Sequence, residues 1–252
     1  MVFSVFVILF VRKLYILNMD LFIKVKMSKT RYAKHDLVEQ LSGKTEEMRK
    51  KTVTVVGIGG VGSVVSEIMV RSGINLRIID KGRIMEDELQ RQTLFIEEDI
   101  NKFKAKQAKK RLESINPTVN VKSFHEDLTP QNIYLVESDL VIDCSNDLEV
   151  SLMIDKYCFK KGIPMIYCYV SGTQGQIFII DKKVSLSQIS EYVKNQRISE
   201  KGIMSATIHT AAGIVSSKTA KILLGLTHQD NMLTFDVWDL SFEKKFVRKN
   251  KK

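Results

Sequence analysis

The stretch "TVTVVGIGGVGSVVSEI", residues 52–68, runs β-branched apolar residues straight into Gly57, Gly59, Gly60 and Gly62 and then into a helical pattern. Branched side chains suit a buried strand because they fit its pleated surface. Glycines after such a strand let the main chain turn sharply and approach a ligand. The following helix then offers unpaired N–H groups and the positive end of its dipole to an anion. Gly57, Gly59 and Gly62 fit GxGxxG, and Asp80 closes the next strand-like run, "NLRIID", 23 residues after Gly57. An acid at that point is placed to accept hydrogen bonds from a ribose. The unit therefore reads as a strand, a phosphate turn and a helix for an adenine nucleotide. A packing turn without ligand and a redox dinucleotide site stand as the alternatives.

Outward from this unit, strands and helices alternate. Residues 31–50, "RYAKHDLVEQLSGKTEEMRK", predict helix and turn, and the helix after the glycines covers about 61–72, ending at Ser72 and Gly73. "EEDINKFKAKQAKKRLESIN" places Ile100, Phe103, Ala108 and Leu112 at helical spacings, and Asn116 and Pro117 stop it. "VNVKSF" reads as a strand, "PQNIYLVES" as a short helix, "DLVIDCS" as a strand, and "DLEVSLMIDKYCFKKG" as a helix ended by Gly162. "IPMIYCYV" and "GQIFIID" supply two more strands. This order predicts an α/β fold, a Rossmann-like, doubly wound, mostly parallel sheet with helices on both faces. Ligands in such sheets sit beyond the carboxyl ends of the strands, which gathers residues 57–62, Asp80 and residues 143–147 around one crevice. After Lys182, "VSLSQISEYVKNQ" reads as helical and "SATIHTAAGIVSSKTAKILLG" as a small-residue helix able to pack closely on a sheet. "LTFDVWDL" and "EKKFVRK" alternate like a C-terminal β-hairpin, with Trp238 read as a packing residue.

The chain of 252 residues suffices for one sizeable core, and 44% hydrophobic with 27% charged residues describes an ordinary globular composition. A net charge of +10 favours acidic partners such as phosphate, an acidic protein face or RNA. The plainer reading is a solvated lysine-rich surface, since charge concentrates only in "KFKAKQAKKR" and the tail "EKKFVRKNKK". Cys144, Cys158 and Cys168 form no CxxC pair, so neither a disulfide framework nor a four-cysteine zinc site is expected, and the usage suits a reducing cytoplasm. "MVFSVFVILFV" is apolar for 11 residues, short of the ~20 that a spanning helix needs. Residues 1–26 are therefore read as an apolar extension, an artefact of start assignment or an anchor, with membrane association not expected. Residues 27–50 form a helical arm and residues 51–252 the nucleotide-binding domain.

No GxxxxGK[ST] motif occurs, which argues against a Walker-type ATPase. "LQRQTLF" follows Asp80 with Arg91 and Gln92, and Lys104 lies downstream. A pyrophosphate in an NAD site is neutralised largely by the helix terminus. A triphosphate attacked at its α-phosphorus needs cations already aimed at the departing pyrophosphate.

"VVGIGGVGS", "IID", "LQRQTLF", "INP", "VIDCSND", "GQIFIID" and "GIVSSKTAKILLG", in this order, resemble the ThiF/MoeB/HesA family of ubiquitin-activating-enzyme-like adenylyltransferases over about residues 31–248. The resemblance implies ATP- and Mg²⁺-dependent activation of the C-terminal carboxylate of a ubiquitin-like sulfur-carrier protein ending in Gly-Gly, with release of pyrophosphate. It also implies a homodimer serving molybdopterin, thiamin or tRNA sulfur chemistry. By position, Gly57, Gly59, Gly60, Gly62 and Gln92 would line the nucleotide and Asp80 would hold the ribose. Arg91 and Lys104 would bind phosphate, and Lys34 would take the place of an arginine that reaches across the dimer.

Four departures from the family pattern matter. Its Asp-Asn pair appears as Asn146-Asp147, so the Mg²⁺ carboxylate is expected from Asp147 or from Asp143. Glu88 replaces an asparagine that helps bind phosphate, so a carboxylate there would repel phosphate or recruit the metal. Lys34 replaces an arginine in "RYAKH", keeping charge and losing the bidentate fork. The zinc-binding CxxC pairs are missing, as is a cysteine between Lys182 and Met204, so neither structural zinc nor a thioester relay is expected. The rival readings are a tRNA-modifying dehydratase of the same superfamily and a non-catalytic binding subunit of the same fold.

Overall fold

The computed structural model describes residues 31–181, 184–193, 202–226 and 232–246. The chain falls into two compact units, Met1–Glu46 and Glu47–Lys252. In the first, α1 (Ala33–Asp36) is a single turn, and Thr45 donates its hydroxyl to Asp36 at 2.5 Å. The readings that placed an apolar extension before Met27 and helix over 194–196 fall outside the described residues. A second short helix, α2 (Thr45–Arg49), leads into the larger unit.

That unit is built on β1 (Thr52–Val56), whose last four residues are all buried. Val53 and Val55 have no exposed surface, and burying each contributes roughly 1.5–3 kcal/mol. α3 (Gly60–Arg71), β2 (Asn75–Ile79), α4 (Lys104–Ile115), β3 (Val121–Phe124) and β4 (Leu140–Asp143) follow. α5 (Leu148–Lys161) then leads to β5 (Met165–Ser171), and the five strands pair in parallel in the order β3-β2-β1-β4-β5. Gly162 ends α5 in the left-handed region at φ 70° and donates its N–H to Cys158 and Phe159.

β6 (Gln174–Ile180) runs antiparallel to β5, because only Gly172 and Thr173 separate them. A two-residue connection cannot hold a crossover, and Gly172, at φ 59°, supplies the positive φ that such a hairpin turn demands. After a 3₁₀ segment at Leu186–Tyr192 and α6 (Ser205–Leu223), β7 (Met232–Asp236) and β8 (Ser241–Lys245) complete an eight-stranded sheet with antiparallel pairing. The sheet is thus mostly parallel with a C-terminal hairpin, as expected. α5 and the 3₁₀ segment cover one face through Ile154, Cys158, Leu186 and Ile189, set against Tyr167, Phe178 and Ile180. On the other face α6 lies against α3 and β5, and its Ala211, Ala212 and Val215 are fully buried.

Two sequence expectations are corrected. The helix expected from about residue 97 begins only at Lys104, leaving Ile100 and Phe103 outside it. A 3₁₀ turn at Glu97–Asp99 and Asn101 at φ 66° interrupt the pattern. Residues 101–104 instead bond to the loop after β2, through Asn101 N to Ile84 O, Ile84 N to Lys102 O and Lys104 N to Gly82 O. Trp238, expected in packing, sits in the turn between β7 and β8 and is 75% exposed.

Candidate functional site

Reversal of strand order beside β1 opens a crevice between the carboxyl ends of β1 and β4. The four glycines at its floor serve different ends. Gly57 has φ 82°, and a side chain there would meet Cys144 O at 2.6 Å. A Cβ on Gly62 would lie 1.8 Å from Gly57 O, and one on Gly60 would lie 2.6 Å from Ile208 Cδ1. Gly57 and Gly62 must be glycine because backbone atoms crowd their Cβ positions, whereas at Gly60 the close atoms belong to the Ile208 side chain, which can give. Gly59 differs, since a Cβ there would meet only Gln92 Nε2, at 3.9 Å. Gly59 is also the N-cap of α3, with no side chain capping the helix. First-turn N–H groups are therefore offered to an anion at the most open point of the turn.

Asp80 closes this cradle from β2. Its Oδ2 accepts from Ile58 N at 2.7 Å and its Oδ1 from Gly82 N at 2.6 Å. Each carboxylate oxygen has a second lone-pair site, so both can still accept from ribose hydroxyls. Gln92 is 1% exposed, and its Oε1 has no hydrogen-bond partner. Arg91, half-buried on the same loop, donates Nη1–H to Asp87 O at 2.7 Å. Lys104 is the first residue of α4, and its Nζ lies 2.5 Å from Glu88 Oε1.

Across the crevice, Asp143 ends β4 and is buried. Its Oδ1 accepts from Ser145 N at 2.9 Å, while Oδ2 has no partner. Burial, only partly offset by the Ser145 N–H and the nearby serine hydroxyls, raises its pKa above the ordinary aspartate range. Asn146 takes φ 57° and its Oδ1 is likewise buried without a partner. Asp147 is exposed and caps α5, Oδ1 accepting from Glu149 N at 3.0 Å and Val150 N at 3.3 Å. Unsatisfied buried acceptors are costly and uncommon. Three of them, on Gln92, Asp143 and Asn146, flank the one crevice.

Among the described residues, no group of three or more His, Cys, Asp or Glu is placed to hold a metal. Mg²⁺ carried by a nucleotide asks less of a protein, commonly one or two carboxylates beside the phosphates. Asp143 and Asp147 fit that requirement. The thiols do not suit nucleophilic work: Cys168 and burial push Cys144 well up, and burial pushes Cys158 to about 12. Lys34 is exposed on α1 of the first unit.

A second feature was not read from the sequence. A groove of about 350 Å³ crosses the antiparallel strands, lined on one face by Tyr169, Ser171, Gln176, Thr234, Asp236 and Glu243. Tyr169 lies two residues beyond Tyr167, the register partner of Asp143, so the groove starts beside the crevice. Alternating residues of β5 were legible as one face. The partners across β6, β7 and β8 depend on register, which the sequence does not display.

The ThiF family profile matches residues 33–252. The chain belongs to the ThiF family. It is 26% identical over 219 residues to the sulfur carrier protein ThiS adenylyltransferase of Bacillus subtilis, covering 82% of this chain and 65% of that protein. It is 24% identical over 237 residues to a sulfur carrier protein adenylyltransferase of Thermus thermophilus, covering 87% of this chain and 88% of the relative. Among solved structures, Escherichia coli MccB bound to MccA-N7isoASN superposes with a TM-score of 0.77 at 18% identity, over 90% of this chain and 74% of that one. This likeness shows that the ThiF-family chain shares the MccB fold. No helix among the described residues is long and apolar enough to cross a membrane.

Proposed function

We propose that this ThiF-family chain is an ATP-dependent adenylyltransferase that activates the C-terminal carboxylate of a ubiquitin-like sulfur carrier ending in Gly-Gly. The observation that carries this reading is the convergence of an uncapped α3 N-terminus at Gly59 with the orphaned buried acceptors of Gln92, Asp143 and Asn146. Relatives named as sulfur-carrier and molybdopterin-synthase adenylyltransferases support the chemistry.

In this reading a carrier carboxylate oxygen forms a bond to the α-phosphorus. The bond from that phosphorus to the bridging oxygen breaks, and pyrophosphate departs with the electron pair. The protein's share is alignment and electrostatic stabilisation. Asp80 orients the ribose, and the N–H groups at the start of α3 hold the phosphates. Arg91 and Lys104 stabilise the charge growing on pyrophosphate, and Lys34 of a second copy adds a cation in a homodimer. Asp147 and Asp143 hold Mg²⁺, which supplies further neutralisation of the phosphates when bound. The groove from Tyr169 to Glu243 receives the extended carrier tail.

The test is ATP–pyrophosphate exchange by the purified chain, with and without carrier proteins ending in Gly-Gly. Exchange that depends on a carrier and on Mg²⁺ is expected. Tight NAD⁺ binding that ATP displaces only weakly would refute the reading. Salt-sensitive binding of tRNA, with exchange unaffected by any carrier, would favour the dehydratase instead.

A further inference from the structure

We infer that Glu88 is an internal competitor for the triphosphate: its carboxylate holds the Lys104 ammonium, and binding of phosphate requires the amine to exchange that partner. The inference rests on the nucleotide reading and deepens it. Lys104 Nζ and Glu88 Oε1 are 2.5 Å apart, and the two side chains are only 11% and 15% exposed. Water therefore screens the pair weakly, and an amine moved off its carboxylate must find another anion at once.

The geometry sets where the amine stands. Lys104 N donates to Gly82 O at 3.0 Å, and a Cβ on Gly82 would lie 3.7–3.8 Å from the Lys104 stem. The amine is thus delivered across a residue that itself bonds to Asp80. Glu88 in turn is tied to the loop bearing the other phosphate ligands. Its carbonyl accepts from both Arg91 N at 3.1 Å and Gln92 N at 3.0 Å, and its Oε2 accepts from Met85 N at 3.0 Å. A carboxylate on this loop occupies the cation that a phosphate oxygen would otherwise meet unopposed. It also keeps a nearly buried lysine paired in the nucleotide-free protein.

Glu88→Gln separates this role from a structural one. The amide oxygen can still accept from Met85 N, while the negative charge on Lys104 is removed. Isothermal titration of the full chain with ATP·Mg²⁺, and separately with inorganic pyrophosphate, reads the competition. The variant should bind both about tenfold more tightly than wild type, since a charge-assisted bond is no longer broken on binding. Its melting temperature should fall, because a buried ammonium has lost its partner. A Glu88 that merely supports the loop would instead make affinity and stability worsen together. If wild type binds ATP·Mg²⁺ and Glu88→Gln binds it equally or more weakly, the competition is refuted and the nucleotide reading stands. If neither protein binds ATP or pyrophosphate, the nucleotide reading fails and the competition with it.

Discussion

Gly59→Ala, set against Gly62→Ala, separates a ligand cradle from a packing turn. At Gly62 the new methyl would lie 1.8 Å from Gly57 O and 3.0 Å from Gly57 C. Neither atom is a flexible side-chain end, so the strand–turn–helix junction itself must move by more than an ångström. Overpacking of this severity costs about 3 kcal/mol or more, a fall of roughly 6–12 °C in Tm for a domain of this size. At Gly59 the nearest atom is Gln92 Nε2 at 3.9 Å, and φ is −85°, outside the left-handed region. Alanine at this N-cap costs about 1 kcal/mol, or roughly 2–4 °C. Within the proposed function the phosphates sit beside this N-cap, where an added methyl would crowd them at the first-turn N–H groups. A phosphate oxygen needs to approach these to ~2.9 Å, and losing one charged hydrogen bond of about 1.5–3 kcal/mol weakens ATP roughly 10- to 100-fold. Melting curves and ATP titration of both variants are the assay. A Gly59→Ala protein that melts slightly low and binds ATP as wild type does would refute the cradle. A Gly62→Ala protein as stable as wild type would refute the packing argument.

Asp147→Asn should keep the cap on α5, because asparagine caps as well as aspartate. Its Tm should hold while the Mg²⁺ concentration for half-maximal exchange rises; if Asp143→Asn alone loses exchange, the metal role belongs to Asp143. Asp155 is buried on α5, where it accepts from Leu186 N at 2.9 Å and Ser187 N at 3.4 Å, and burial raises its pKa. A raised folded-state pKa means that the folded chain binds the proton more tightly. Asp155's contribution is therefore fully present below the unfolded value and is lost as pH rises through the folded one. Asp155→Asn should flatten that decline in Tm measured against pH, and an unchanged slope would show that Asp155 is not its source. Lys34→Ala and Arg91→Ala should each exchange slowly, and mixing them under conditions where subunits exchange should restore part of the activity. Failure of rescue would remove Lys34 from a neighbouring subunit's site.

The strand, turn and helix around residues 52–68 were legible because their signals are local: branched residues for β1, glycine spacing for the turn, and Asp80 at the end of the next strand. The break before Lys104 was not legible. Ile100 and Phe103 fall at helical spacing, yet main-chain pairing with the distant loop at residues 82–84 outweighs periodicity there. Phe103 instead packs, tilted, against His125 with ring centroids 3.8 Å apart, under Arg83 at 4.0 Å. The hairpin of β5 and β6 did carry a signal in Gly172-Thr173, short enough to rule out a crossover. The pairing of Glu88 with Lys104 spans 16 residues through two loops, and no periodicity encodes it. Trp238 reads as core by type, but the alternation of its hairpin does not say which face is covered.

The inverted pair Asn146-Asp147 has a physical explanation that bears on the metal. The main chain asks for a left-handed residue at 146, where φ is 57°, and for an N-cap at 147. Asparagine and aspartate meet both demands, because each tolerates the left-handed region and each accepts from first-turn N–H groups. The backbone is therefore nearly indifferent to the order of the two residues. What the inversion moves is charge. The resemblance to the family places a carboxylate at 146, where the side-chain oxygen is buried and unpaired; here the carboxylate stands at 147, exposed and already accepting two N–H bonds. A carboxylate in water that has two other donors offers a cation less than one held beside it in a protected crevice. Asp143, three residues earlier at the end of β4, keeps a second carboxylate with one of its own oxygens uncommitted. Its raised pKa fits an acid that is costly to ionise alone and that a nearby cation would stabilise in the charged form. Within the proposed function, Asp143 would hold Mg²⁺ in its charged form, and the inversion should raise the metal requirement relative to a carboxylate at 146, without closing the crevice.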